Sequence, residues 1–249
     1  MNTKTRKQGS TIAILMLFLF GNYAMSQNLE VDKDSERILM NYVSAIGGEK
    51  ALGEIKNIVS KSDLLVVEAG VIINREIVQD KTNNIHIKAY SPQTGEIFRG
   101  FDGNNYWEKN RSSVSVFNDE RILSFLHEFA FMRFAEWKKT LLDAKYIGIE
   151  SIDGKEFHTI AATTIYGVKE KWYFNKTDFL LSYMEEQLEM TSGVVPVITK
   201  FDDYREVDGV KHSFTQSIKM GRSNRKITYN SILHNQKIDY KIFSKPSSN

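Results

Sequence analysis

Three Asp-Gly pairs, Asp102-Gly103, Asp153-Gly154 and Asp208-Gly209, each stand between runs rich in β-branched and aromatic residues. Asp-Gly suits the positive φ angles of a tight hairpin turn, so each pair predicts two antiparallel strands joined directly. The flanking runs alternate. Ile85, Ile87 and Ala89 oppose Asn84, His86 and Lys88, and Trp172 and Phe174 oppose Lys171 and Tyr173. Val210, His212, Phe214, Ile218 and Met220 share one face against Lys211, Ser213, Thr215, Ser217 and Lys219. Period-two patterning with one apolar side predicts an antiparallel sheet buried on one face. With the other turn clusters, at 68–70, 91–95, 175–178 and 221–224, the chain reads as about ten or eleven strands. Pro196 is the proline inside a strand-like run, which places that strand at a sheet edge.

Helices frame the strands. Ile38, Leu39, Tyr42, Val43 and Ile46 recur at helical spacing, and Gly47-Gly48 supplies a terminator. Residues 49–56 predict a short second helix with Ala51, Leu52 and Ile55 inward. Mid-chain, residues 118–142 predict one longer helix. On a helical wheel its apolar residues, Ile122, Phe125, Phe129, Met132 and Trp137 among them, fill an arc of roughly 200°. Phe131 falls in the polar sector and Arg133 in the middle of the apolar arc. The fold class is therefore α+β and mainly antiparallel, one domain over residues 27–249.

The first 26 residues read as a leader. Lys4, Arg6 and Lys7 precede the apolar run Ile12–Phe20, and Ala24 and Ser26 stand at the −3 and −1 positions of a cut before Gln27. The apolar run is far short of the about 20 residues that span a bilayer. Without those three basic residues the formal charge of +2 becomes −1, which removes the electrostatic case for nucleic acid or an anionic membrane surface. The chain has no cysteine, hence no disulfides and no lipidated cysteine. The expected product is a periplasmic or secreted protein of 223 residues with no stable membrane anchor after cleavage.

Catalytic motifs fail on spacing. His127-Glu128 opens like a zinc-protease helix, but Phe131 stands where the second ligand belongs. The histidines 86, 127, 158, 212 and 234 are scattered, so no metal site is expected. Ser223 and Lys226 have the spacing of a serine acyl enzyme but fall in a predicted hairpin turn rather than at a helix start. The acidic pairs Asp119-Glu120, Glu185-Glu186 and Asp202-Asp203 read as solvated faces, because strand neighbours point to opposite sides. The sequons at Asn110 and Asn175 carry meaning only in a eukaryotic secretory route. No glycine-rich phosphate loop occurs, and no cofactor is expected.

What remains is a surplus of aromatic residues. Phe98, Phe101, Trp107, Trp172 and Phe174 on strands, with Phe125 and Phe129 on the mid-chain helix, are either core or the lining of a cavity for an acyl chain. Arg133 has two readings. It is neutralised by Glu136 or reaches water past the helix end, or it stands at the cavity mouth and meets an acidic or carbonyl head group.

Three stretches resemble a known family: Tyr42–Leu52 (YVSAIGGEKAL), Phe201–Lys211 (FDDYREVDGVK), and Ile238–Phe243 (IDYKIF) followed by Lys245-Pro246. They are similar to periplasmic lipoprotein carriers, the LolA-like or outer-membrane lipoprotein-sorting proteins. The resemblance implies an incomplete curved antiparallel barrel, closed by helices over its concave face, with a hydrophobic cavity for acyl chains. It transfers no site residue. The functional expectation is a non-enzymatic binding or carrier protein for a lipid or lipidated partner. The alternatives are a protein-interaction module, a sensor or envelope-assembly factor using a sheet edge or exposed Phe131, and a hydrolase whose site is dispersed in sequence.

Overall fold

The computed structural model describes residues 29–111, 113–190 and 193–247; the leader lies outside them. The described strands are β1 Glu30–Val31, β2 Asn57–Val66, β3 Val71–Asp80, β4 Ile85–Ser91, β5 Gly95–Phe101, β6 Tyr106–Lys109 and β7 Val114–Phe117. They continue as β8 Leu141–Ile152, β9 Lys155–Thr164, β10 Lys169–Asn175, β11 Leu181–Met190, β12 Gly193–Val207, β13 Val210–Met220 and β14 Ser223–His234. The helices are α1 Lys33–Ala45, α2 Gly48–Glu54, α3 Arg121–Phe129 and α4 Trp137–Thr140, with a closing 3-10 turn at Tyr240–Phe243.

All fourteen strands form one sheet in the order β1-β8-β9-β10-β11-β12-β13-β14-β2-β3-β4-β5-β6-β7. Every neighbouring pair is antiparallel except β1–β8. The expected ten or eleven strands fall short because β1 spans two residues and β6 and β7 four each, too short for alternation to register. Two of the Asp-Gly pairs make two-residue turns with both φ angles positive, 51° and 76° at Asp153-Gly154 and 48° and 78° at Asp208-Gly209. Asp102-Gly103 opens a longer loop instead, in which Asp102 Oδ1 accepts from the amides of Asn104 and Asn105.

The strand order makes the mid-chain helices cover the concave face. Strands β2 to β7 form one meander and β8 to β14 another, joined side by side at β14–β2, so β7 and β8 lie at opposite ends of the sheet. The segment between them must cross from one end to the other. It does so over the concave face.

That segment is not the single helix expected. It breaks after Phe129, where Ala130 has ψ 135° and Met132 φ 46°. No glycine or proline marks the break. The freed backbone groups are satisfied by distant side chains: Gln79 Nε2 donates to the Phe129 carbonyl (2.5 Å), Arg133 Nη1 to that of His127 (2.8 Å), and the Phe131 amide to Asn83 Oδ1 (3.0 Å). The turn swings Phe131 into the main core, where it is 6% exposed, so the polar-sector placement fails with the helix that implied it.

Pro196 also departs from expectation, since β12 lies inside the sheet. Its pairing with β13 begins only at Val197↔Met220, so at Pro196 the strand has β11 alone as ladder partner and loses nothing by lacking an N–H on the other side.

At the amino end, Asp32 caps α1 by accepting from Ser35 N (2.7 Å), and its second oxygen accepts from Tyr146 N on β8 (2.8 Å). The apolar face of α1, with Ile38, Leu39, Tyr42 and Val43, buries against β8–β10 and Trp137 in the larger of two clusters. The smaller, Ile77, Ile85, Ile87, Phe101, Tyr106 and Phe125, lies under α3 at the other end of the sheet. Among the described residues no helix is long and apolar enough to cross a membrane.

Candidate functional site: the concave cleft

Between the two clusters the concave face holds an open cleft of about 1290 Å³. Ile58, Ile77, Val197, Phe201, Ile218, Ile227 and Ile232 from the sheet and Phe129 from the crossing segment give it apolar walls. Arg75, His127, Glu128, Arg133, Glu186, Arg225 and Tyr229 also line it. A cavity with apolar walls and a few oriented polar groups is the ordinary form of a small-molecule site.

The polar groups fall into two sets. On the β10–β11 side, Glu170 and Glu186 are direct cross-strand partners, and α3 places His127 over them. His127 Nε2 lies 2.8 Å from Glu186 Oε2 and 3.4 Å from Glu170 Oε1. Arg133 pairs with Glu170 Oε1, and Trp172 Nε1 donates to its Oε2 (2.8 Å). Burial works to raise the pKa of Glu186, but the hydrogen bond and charge of His127, with Arg133 beyond, bring it below the usual carboxylate value. This overturns the expected Arg133–Glu136 pair: Glu136 turns to Lys139 (2.5 Å). Residues 130–136, which hold both Arg133 and Glu136, are not helical, so spacing along a helix does not apply. His127, Glu170 and Glu186 offer donors within 4.8 Å of one another, enough to share a cation. The guanidinium of Arg133 already occupies Glu170, and its charge opposes a metal ion there.

The second set lies toward β14, β2 and β3. Arg75 donates to Ser62 Oγ (3.2 Å), and burial lowers its pKa against the charges of Tyr229 and Glu128. Glu128 is exposed to the open cleft. Its pKa is raised by loss of solvent, opposed by Arg75, Arg99 and Arg225. A histidine pair sits lower on the cleft wall, His212 Nε2 lying 2.9 Å from His234 Nε2.

The residues singled out from the sequence divide among three places. Phe129 and Arg133 line the cleft. Trp172 and Phe174 share its face but are packed beneath it, Trp172 against Phe134 (5.1 Å) and Phe174 against Tyr42 (5.3 Å). Phe101 and Phe125 belong to the smaller cluster, where Phe125 stacks on Tyr106 at 4.4 Å. Phe98 and Trp107 lie on the opposite, convex face, where Trp107 Nε1 donates to the Phe243 carbonyl (2.7 Å). Glu170, Glu186, Arg75, Glu128 and Arg225 were missed. Alternation carried the signal for three of them: Glu170 shares a face with Trp172 and Phe174, Arg75 with Ile77, and Arg225 with Ile227.

No family model matches the sequence, and no curated protein matches it. Solved structures do match. A LolA superfamily protein from Nitrosomonas europaea aligns with TM-score 0.59 at 12% identity, over 84% of this chain and 97% of that one. A DUF1329 family protein from Desulfovibrio piger gives 0.56 at 12% identity, over 84% and 96%. A putative outer membrane lipoprotein-sorting protein domain from Vibrio parahaemolyticus gives 0.55 at 10% identity, over 83% and 94%. At these identities the likeness is one of fold, and the fold of this chain is the open, curved antiparallel barrel of the LolA-like proteins.

Proposed function

We propose that this chain is an exported, non-enzymatic binding protein of the cell envelope that takes an acyl chain of a lipid or lipidated partner into the concave cleft. The observation that carries the reading is the cleft itself. Its volume of about 1290 Å³ slightly exceeds the usual small-ligand range of about 300–1,000 Å³, and isoleucine, valine and phenylalanine side chains form apolar stretches of its mixed walls. The leader at residues 1–26 supports delivery to the envelope, and the names of two solved relatives, a LolA superfamily protein and a lipoprotein-sorting domain, support the carrier reading. Phe129 serves as the acyl contact from the crossing segment. Arg133 serves as a structural tie, because its charge is spent on Glu170.

The test is a titration of a fluorescent fatty acid or lipopeptide into wild type and Phe129→Ala, with thermal melting in parallel and mass spectrometry of organic extracts from gently purified protein. Saturable binding that weakens in the variant while the fold is retained is the expected result. Absence of saturable binding by wild type defeats the reading. The interaction-module reading keeps one support, the unpaired outer edge of β7 with Val116 42% exposed; burial of Phe131 removes the other.

A further inference from the structure

We infer that the cleft holds a subsite for an oxyanion, built by Arg75 and Arg225, so that its ligand is an amphiphile whose acyl chain ends in a carboxylate or phosphate group. The inference rests on the reading of the cleft as a ligand site and adds the class of head group. The other arginines of the cleft region have carboxylate partners. Arg133 is spent on Glu170, Arg99 on Glu108 (3.1 Å), and Arg121 on Asp119 (2.5 Å). Lys169 and Lys211 stand exposed at the rim. Arg75 and Arg225 are different. Both are half-buried and line the cleft, and among the described residues neither has a carboxylate within ion-pair distance.

Their nitrogens are under-used. Arg75 donates to the neutral Ser62 hydroxyl, and its Nε is buried without a partner. Arg225 Nε is likewise buried and unpartnered. A buried guanidinium with unmet donors is costly unless a ligand or counter-charge meets it. Glu128 is the carboxylate that feels both arginines, but among the described residues it makes no ion pair with either, and it is itself exposed to the cleft. Guanidinium forks on the wall of an open volume can each meet a pair of oxygens of a carboxylate or phosphate.

The apolar surface begins beside them. Ile77 lies two residues from Arg75 on the same face of β3, and Ile227 two residues from Arg225 on the same face of β14. Ile218, opposite Arg225 on β13, continues the wall toward Val197. Tyr229 and Gln216 add polar groups to the same cleft. A head group held by the arginines thus leaves its tail on isoleucine. A neutral lipid would leave both guanidiniums unmet.

The test compares cis-parinaric acid with its methyl ester by fluorescence titration at fixed ionic strength, in wild type, Arg225→Met and Arg75→Met/Arg225→Met, with inorganic phosphate as competitor. In wild type the acid is expected to bind at least tenfold more tightly than the ester. The double variant brings the acid to the level of the ester, with the affinity of the ester and the melting temperature little changed. Millimolar phosphate weakens the acid in wild type alone. Equal binding of acid and ester by wild type, a comparison that needs no variant, overturns the oxyanion subsite and leaves the carrier reading standing. Selectivity that survives both substitutions also overturns it. Phosphate binding as tightly as the acid shows a free-anion site and overturns the amphiphile. If neither acid nor ester binds, the carrier reading falls as well.

Discussion

His127 on α3 reaches over the concave face to Glu186 on β11, Nε2 to Oε2 at 2.8 Å, while the carbonyl of Phe129 in the same helix accepts from Gln79 on β3. The crossing helix is therefore tied to both halves of the sheet at once, and these ties set the height of the roof over the cleft. His127→Ala is expected to cost about 1–3 kcal/mol, because Glu186 loses its partner in a largely buried position. Hydrogen exchange should accelerate first in residues 121–136 rather than in the meander. Uniform acceleration would deny the helix its separate role.

Arg133 and Glu170 form a deeply set ion pair beside the cleft, the Glu170 side chain being fully buried. Arg133→Met leaves that buried carboxylate without its guanidinium, with only His127 and Trp172 beside it, and is expected to cost about 3 kcal/mol in urea unfolding. Arg133→Met/Glu170→Gln should recover most of the loss, since the glutamine can still accept from Trp172. If the double variant is as unstable as the single one, Arg133 acts through packing rather than charge.

The His212–His234 pair makes stability depend on pH. Burial, then the charge of His234, lowers the His212 pKa to about 4, and burial lowers that of His234 against the nearby Asp208. A histidine whose folded pKa lies below its unfolded value of about 6.5 contributes stability that is complete above pH 6.5 and lost as pH falls toward 4. The loss is at most about 3 kcal/mol. Melting temperatures at pH 7, 5.5 and 4.5 should fall more steeply in wild type than in His212→Gln. Parallel slopes would show that the carboxylates alone set acid sensitivity.

Gly100 lies under the indole of Trp107: a Cβ there would meet Trp107 Cζ2 at 2.3 Å. Gly100→Ala is expected to displace the ring, break its bond to the Phe243 carbonyl, and cost about 1–3 kcal/mol. The closing turn at Tyr240–Phe243 should then become the first site of limited proteolysis. Unchanged cleavage would mean that the turn is held without Trp107.

Export is checked at the amino terminus. N-terminal sequencing of protein recovered from the periplasm is expected to begin at Gln27. An intact Met1, or retention in the inner membrane, would refute cleavage after Ser26.

Much of the sheet could be read residue by residue, because the alternation of a strand is a local property. The faces of β4, β10 and β13 follow from their own side chains, and so do the turns at Asp153-Gly154 and Asp208-Gly209. The same logic would have put Glu170 on the face of Trp172, but an acid there makes sense only once its partners are known. Phe98 and Trp107 show the limit. Alternation puts them on one face together, but whether that face looks into the cleft or away from it depends on how the whole sheet curves.

The sequence by itself determined an α+β chain of antiparallel hairpins with a helical start and a helical crossing. Those features depend on residues within about ten positions of one another, through turn chemistry and periodicity. Tertiary structure decided the rest. The break after Phe129 exists because Gln79 and Asn83, about fifty residues earlier, satisfy the backbone groups it frees. Arg133 belongs to Glu170 rather than Glu136 because that break ends the helical spacing. The cleft arises because β7 and β8 lie toward opposite ends of one curved sheet and the chain between them crosses on the concave side. Strand order and curvature come from pairing across the whole chain, and no local window of the sequence contains them.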